Sequence, residues 1–129
     1  MKVLQPEGWP RPKGYSNGMA AKGELVFVAG QIGWTEKGEF EKNFAGQFRQ
    51  VLINTIAVLK QAGAKPEHIT RMTWFITDKR AYQESVRDIG KAYRELIGAH
   101  YPTMTVVEVK SLLEDAALVE IESTAVIPA

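Results

Sequence analysis

Two glutamates near the end of the chain are the residues whose type and spacing most directly suggest chemistry. Glu120 and Glu122 alternate with apolar residues in the run LVEIE at positions 118–122, and alternation along a β-strand places both carboxylates on one face. A carboxyl group in a partly apolar cleft can take a proton from water and return it later, as general acid–base catalysis requires. The alternative is that either glutamate pairs with a surface Lys or Arg.

Other residue types that carry chemistry are scarce. The chain has no cysteine, which excludes disulfides, thiolate nucleophiles and zinc–thiolate sites. The two histidines, His68 and His100, have no third ligand at a suggestive spacing, so we expect neither a metal nor another cofactor. His100 can supply a switchable positive charge, and a solvated loop position is the alternative.

The charge balance argues against polyanionic partners. Sixteen Lys and Arg against 15 Asp and Glu give a net charge of +1, too small for the basic surface used on nucleic acid or anionic membranes. The first 17 residues lack the apolar core of a signal peptide, and no stretch approaches the roughly 20 apolar residues that span a bilayer. We therefore expect a single domain over residues 1–129, cytoplasmic, with a small-molecule ligand and neither nucleic acid nor membrane as partner.

Hydrophobic periodicity predicts two helices. Apolar residues recur every three or four positions from Asn43 to Gly63 and again from Asp78 to Gly98. Asn43 and Asp78 are suitable N-caps, and glycine commonly ends a helix. Each helix has one apolar stripe, so both helices are expected to pack on the same face of a sheet.

Runs rich in β-branched and apolar residues predict five strands, over residues 19–21, 25–32, 69–76, 103–109 and 117–126. The first two are expected to form a hairpin with a tight turn at Lys22-Gly23. The order ββαβαββ predicts an α+β fold, with one mixed β-sheet and two helices on one face. Both faces of strand 103–109 carry apolar groups, so we expect other subunits to cover the helix-free face in a closed ring.

Short motifs along nearly the whole chain resemble those of RidA/YjgF proteins. They are GYS at 14–16, VAGQIG at 28–33, Asn54, AG at 62–63, YP at 101–102, VEV at 107–109 and VEIE at 119–122. Each motif is weak alone, but their order and spacing are specific. The resemblance implies a chorismate-mutase-like homotrimer with sites in clefts between neighbouring subunits. For the deaminase branch of the family, it also implies hydrolysis of reactive enamines and imines.

The same resemblance assigns candidate site residues. Glu120 stands at the position of the family's acidic residue, which handles water at the imine carbon. Tyr15 is implied to line the cleft, and the alternative is a packed loop anchor. Gly30 is implied to let a ligand approach the backbone closely, and the alternative is a bulge in its strand.

Three other positions depart from the pattern of the deaminase branch. That branch has an arginine that pairs with the substrate carboxylate, and Met104 stands there in this chain. A thioether makes no bidentate pair with a carboxylate. Val106 stands where that branch often has cysteine, and Ala29 where the family has serine. These departures predict weak activity on the usual 2-imino acids and favour a substrate that is less anionic or bulkier. The carboxylates of an aminomuconate-type compound would need another cation, for which Arg71 and Lys110 are candidates.

The sequence leaves three alternative functions open. The first is a Rid-like hydrolase or deaminase that acts on a small imine, enamine or related metabolite, with Glu120 as the catalytic residue. The second is a non-catalytic metabolite-binding trimer, which the apolar residues Met104, Val106 and Ala29 also suit. The third is a ribonuclease or translation inhibitor, ranked last because the chain has little positive charge to hold RNA.

Overall fold

The computed structural model describes residues 1–129 and consists of six strands, three helices and one short 3₁₀ turn. In chain order these are β1 (Lys2–Leu4), β2 (Gly18–Ala20), β3 (Gly23–Ile32), α1 (Phe44–Gln61), the 3₁₀ turn (Pro66–His68), β4 (Ile69–Ile76), α2 (Lys79–Glu84), α3 (Val86–Leu96), β5 (Thr103–Glu108) and β6 (Val119–Pro128).

Four of the strands form the main sheet, in the order β3-β6-β4-β5. The strands β4 and β5 are parallel, whereas β6 runs antiparallel to both of its neighbours. A parallel pair needs a long crossover, and α2 and α3 provide it here. The predicted mixed sheet is therefore confirmed, with β3 and β5 at its two edges.

The predicted hairpin between the first two strands is wrong. The strand β2 pairs with β1, with Lys2 opposite Ala20 and Leu4 opposite Gly18, and the two form a separate ribbon. The Lys22-Gly23 pair resembles a tight turn, but Gly23 is already the first residue of β3 and lies opposite Pro128 of β6. The strand β3 thus pairs with the last strand of the chain, β6, and not with β2.

The predicted helix boundaries agree with the structure at their caps. The side chain of Asn43 accepts a hydrogen bond from the backbone N–H of Gly46 (2.7 Å) at the start of α1, and Gly63 just beyond it adopts a φ of 75°. The side chain of Asp78 caps α2 by accepting a hydrogen bond from the backbone N–H of Arg80 (3.0 Å). The second predicted helix is instead two helices divided at Ser85, whose hydroxyl donates to the carbonyl of Ala81.

The helices α1 and α3 pack together on one face of the sheet, and the core lies between them and the sheet. Buried side chains from both layers form it, among them Phe48, Leu52, Met72, Trp74 and Ile121. Both helices thus cover the same face, as their single apolar stripes predict. None of the helices is both long and apolar enough to cross a membrane.

The opposite face of the main sheet, here called the open face, has no helix over it. Side chains on this face include Leu25, Phe27, Phe75, Val107 and Glu120, as the strand register requires. In the single chain Phe27 is 73% exposed and Leu25 57% exposed. An apolar surface of this kind on a sheet commonly marks a protein–protein contact.

Candidate functional site

The residues predicted to form one site lie on opposite faces of the sheet. Met104 is in register with Met72 and Val106 with Trp74, so their side chains lie on the helix-covered face. Glu120 is opposite Phe75 on the open face. The strands β5 and β6 are also separated by β4. Within one chain, the structure therefore forms two separate partial sites.

The first partial site is a cavity of about 480 Å³ between α2, α3 and the edge strand β5. Its volume is within the range of pockets that bind small molecules. Met104 and Val106 contribute to its wall, and five aromatic side chains surround them: Tyr15, Trp74, Tyr82, Tyr93 and Tyr101. We call this cavity the aromatic pocket.

Hydrogen bonds from one serine position Tyr15 in the wall of the aromatic pocket. The backbone N–H of Ser16 donates to the carbonyl of Pro102 (3.0 Å), and its hydroxyl donates to the carbonyl of Tyr101 (2.5 Å). Ser16 also forms a parallel β-bridge with Thr103. The loop that carries Tyr15 is therefore fixed to the start of β5. Because the Tyr15 side chain remains 41% exposed, it lines the pocket and is not a fully packed anchor.

A pair of stacked tyrosines forms another part of the wall. The rings of Tyr93 and Tyr101 are nearly parallel, at 10°, with centroids 5.6 Å apart. The hydroxyl of Tyr93 donates to the carbonyl of His100 (2.5 Å). Burial, with a smaller contribution from Tyr101, raises the pKa of Tyr93 far above its ordinary value. Tyr93 is therefore a neutral hydrogen-bond donor at physiological pH.

The second partial site surrounds Glu120 on the open face and is here called the glutamate cleft. It has a volume of about 280 Å³, and its lining includes Gly30, Trp34, Leu113 and Glu114. The side chain of Glu120 lies directly over Gly30. A Cβ atom on Gly30 would be 2.9 Å from Cδ and 3.0 Å from Cγ of Glu120 and would overlap the carboxylate.

The lack of a side chain at position 30 therefore lets the carboxylate of Glu120 occupy this cleft. The register of β3 against β6 shifts between Val28 and Gln31, so Ala29 and Gly30 form a β-bulge. The bulge interpretation of Gly30 is therefore confirmed, and the group that approaches its backbone closely within the chain is the carboxylate of Glu120. Ala29 is exposed, and its carbonyl accepts a hydrogen bond from the side chain of Gln31.

Neither predicted carboxylate forms an ion pair. The chain's one salt bridge joins Arg49 and Glu95 on the exposed helix surface. Glu122 shares the open face with Glu120, as alternation predicts, but Glu114 is the second carboxylate of the glutamate cleft. The surface ion pair considered for Glu120 and Glu122 is therefore absent, and both carboxylates are free to act on other groups.

The other residues considered from the sequence do not line either partial site. Arg71 lines a polar cavity beside the β1–β2 ribbon, to which Tyr15 and Met104 also contribute. Lys110 lies in a small cavity formed by the loop before β6. The ring of His100 is half-buried, with Nε2 2.6 Å from the carbonyl of Ile69, so it is a bound structural group. Lys13 and Arg94 are the two cations that line the aromatic pocket, and the sequence interpretation missed both.

Asn54 has the structural role expected of an amide. Its side chain donates to the carbonyls of Ile32 (3.0 Å) and Trp34 (2.9 Å), and so ties the end of β3 to α1.

No group of three or more His, Cys, Asp or Glu side chains is arranged so that it could hold a metal ion.

Comparisons with known proteins agree with this architecture. The family model described as endoribonuclease L-PSP matches residues 10–127. A RutC family protein of Synechocystis sp. is 37% identical over 134 residues and covers 99% of this chain and 98% of its own. These matches define a class of small α+β proteins that includes the Rid proteins.

Solved structures support the same assignment. The Rid family protein YyfB from Yersinia pestis superposes with a TM-score of 0.84 at 27% identity and covers 98% of both chains. Escherichia coli TdcF, solved with bound serine, has a TM-score of 0.70 at 32% identity and also covers 98% of both chains. The chain therefore belongs to the RidA/YjgF family, and its fold is the chorismate-mutase-like α+β fold of that family.

Proposed function

We propose that this chain is a Rid-type hydrolase that converts a small imine or enamine into a carbonyl compound and ammonia. The observation that carries this proposal is the carboxylate of Glu120, which has no ion-pair partner and lies over the bare backbone of Gly30 in an open cleft. A relative from Escherichia coli that is 35% identical over 105 residues, covering 81% of this chain and 80% of its own, is named "Putative reactive intermediate deaminase TdcF".

In the proposed reaction Glu120 takes one proton from water and later gives it to nitrogen. The imine reacts in its protonated form: the Glu120 carboxylate takes a proton from water while the water oxygen bonds to the imine carbon, and the π electrons of the C=N bond become the lone pair of an NH2 group. The resulting carbinolamine then collapses. Glu120 returns its proton to nitrogen, the C–N bond breaks as the hydroxyl oxygen forms the C=O bond, and the departing ammonia takes the hydroxyl proton, so the products are ammonium and a carbonyl compound. An enamine enters the same sequence after it tautomerises to the imine.

We further propose that the two partial sites combine between protomers of a homotrimer. Met104 is on the edge strand β5, and Gly30 is on β3 at the opposite edge of the same sheet. If three sheets associate edge to edge in a ring, the aromatic pocket of one protomer adjoins the glutamate cleft of the next. The ring also covers the open face, where Phe27 is exposed in the single chain.

Met104 distinguishes this proposed hydrolase from the deaminase branch. By the family resemblance, an arginine at this position would pair with the substrate carboxylate, and a methionine side chain provides no charge there. We therefore expect slow hydrolysis of the imines that a dehydratase forms from serine or threonine. A Met104→Arg variant should hydrolyse them faster.

Competition with semicarbazide tests this proposal. A dehydratase generates the imine, and a hydrolase lowers the yield of semicarbazone because it removes the imine first. We expect Met104→Arg to lower the yield more than the wild type, and addition of Glu120→Gln to the same chain to abolish the effect. If the double variant is as active as Met104→Arg, Glu120 is not the catalytic residue.

The proposed assembly has a separate test. Phe27→Asp places a charge on the open face without changing either partial site, so it should give monomers in light scattering. Loss of hydrolysis in that folded monomer would support a shared site, whereas full activity in the monomer would refute it.

A second candidate function is metabolite binding without catalysis. It is supported by the aromatic pocket, which is formed within one chain and is lined mostly by aromatic and aliphatic groups. A thermal-shift screen separates the two functions, because a ligand bound to the folded state raises its melting temperature. A compound that stabilises the protein and is recovered unchanged would favour binding alone, and one that is consumed would favour the hydrolase.

A further inference from the structure

The aromatic pocket has two positive charges and no negative charge in its lining. Lys13 lies on the loop before Tyr15, and Arg94 lies on α3; no Asp or Glu lines the cavity. Neither cation takes part in the chain's one ion pair. Two unpaired cations at one cavity favour a negatively charged ligand.

Arg94 reaches the pocket because of a glycine one turn earlier in the helix. Its Nη1 atom lies 3.1 Å from the point that a Cβ of Gly90 would occupy. The guanidinium therefore lies close to the bare helix backbone at position 90, and both residues contribute to the pocket wall. A branched side chain at position 90 would displace this guanidinium toward solvent.

The remaining wall favours a flat, unsaturated ligand body. The rings of Tyr15, Tyr82 and Tyr101 are exposed or half-buried, so they offer π surfaces, which pack well against planar groups. Met104 adds a polarizable thioether, a group that makes favourable contacts with aromatic rings. The pocket therefore suits a planar apolar body, with Lys13 and Arg94 placed to bind an anionic group attached to it.

We propose that the aromatic pocket binds carboxylates attached to an aromatic or conjugated body, and that Arg94, assisted by Lys13, holds the carboxylate. The guanidinium makes two parallel hydrogen bonds to the carboxylate oxygens, as Arg does with this group elsewhere. In combination with the proposed hydrolase, which this second step assumes, the substrate class is an aryl-substituted or conjugated 2-imino acid.

Direct binding tests the ligand class without requiring any catalysis. The probes are cinnamate, which has a planar body and a carboxylate, its neutral amide cinnamamide, and crotonate, which lacks the ring. In titration calorimetry on the wild-type assembly we expect cinnamate to bind at least about tenfold more tightly than either analogue. Equal binding of cinnamate and cinnamamide would overturn the proposed role of the charge, and equal binding of crotonate would overturn that of the ring.

Matched variants test the assignment of the cations. Arg94→Gln should weaken cinnamate binding about tenfold and leave cinnamamide binding unchanged, and Lys13→Gln should have a smaller effect of the same kind. Arg87→Gln is the control, because Arg87 is an exposed cation on the same helix that does not line the pocket. Equal losses in the Arg87 and Arg94 variants would overturn the assignment, because a general field effect would then explain both.

Turnover separates this inference from the proposed function. An amino-acid oxidase can supply the imines of phenylalanine and of alanine in the semicarbazide assay. Cinnamate binding that depends on Arg94, without hydrolysis of either imine, would support the ligand class and refute the hydrolase. Hydrolysis that favours the alanine imine and does not change in Arg94→Gln would support the hydrolase and refute the ligand class.

Discussion

Replacing Gly30 by alanine should move the Glu120 carboxylate without destabilising the fold, so the effect on catalysis can be measured apart from the effect on stability. The added methyl group would lie 2.9 Å from Cδ of Glu120, whereas carbon atoms in contact are normally about 3.5–4.0 Å apart. The carboxyl end must therefore move by roughly 1 Å. Because it ends a flexible side chain at an open cleft, it can move without changing the backbone.

This displacement should affect catalysis much more than folding. A shift of about 1 Å in a reacting group can lower the rate about 100-fold, so kcat/KM of Gly30→Ala should fall by about that factor. Gly30 is not in the left-handed region, and alanine reduces the entropy of the unfolded chain. The free energy of unfolding should therefore change by less than about 1 kcal/mol.

Gly33→Ala is the matched control, because a methyl group added at position 33 would overlap the backbone of a neighbouring helix and not the end of a flexible side chain. It would lie 2.7 Å from both Cα and the carbonyl oxygen of Gln47 in α1, which cannot move alone. Overpacking of this kind costs about 1–3 kcal/mol. Urea denaturation measures the free energy of unfolding, and the imine competition assay measures the change in kcat/KM. Equal destabilisation by the two variants, or full activity in Gly30→Ala, would refute the reasoning about Glu120.

Three further predictions concern residues that support the site. Gln47→Leu should lower the free energy of unfolding by about 3 kcal/mol, since this buried amide makes three hydrogen bonds to the backbone; unchanged urea denaturation would contradict it. Ser16→Ala should lower it by about 1 kcal/mol and weaken cinnamate binding by loosening the Tyr15 loop, which calorimetry can measure. Burial raises the pKa of Tyr93 above its ordinary value of 10.0, so the unfolded chain loses this proton first and stability falls as pH rises above about 10. Tyr93→Phe should lose less stability over that pH range.

Local signals in the sequence predicted the parts of the fold that depend on neighbouring residues. The cap at Asn43, the φ of Gly63 and the whole of β4 agree with the structure because each follows from adjacent side chains. The division of the second helix at Ser85 was missed, since the apolar stripe continues across it. The pairing of β2 with β1 depends on residues far apart in sequence, and the three-residue strand Lys2–Leu4 has no pattern that marks it.

The site was predictable only in part for the same reason. Alternation within each strand places Met104 with Val106, and Glu120 with Glu122, but it cannot relate the faces of two strands that are not neighbours. The strand order β3-β6-β4-β5 and the register of the strands provide that relation, and they place Met104 and Glu120 on opposite faces of the sheet. Arg94 resembles any exposed helix cation in the sequence, and only the three-dimensional packing brings it to the same cavity as Tyr15 and Lys13.

The ribbon of β1 and β2 has a consequence for how the protein should be produced. Lys2–Leu4 pairs with Gly18–Ala20, so the intervening loop, which carries Lys13 and Tyr15, is closed by this short ribbon. An affinity tag fused directly ahead of Lys2, or a shortened start, would compete with or remove that pairing and disturb the ligand pocket. A tag after the exposed Ala129 would leave the pocket-forming loop as it is, and binding data from the two fusions should be compared before either is interpreted.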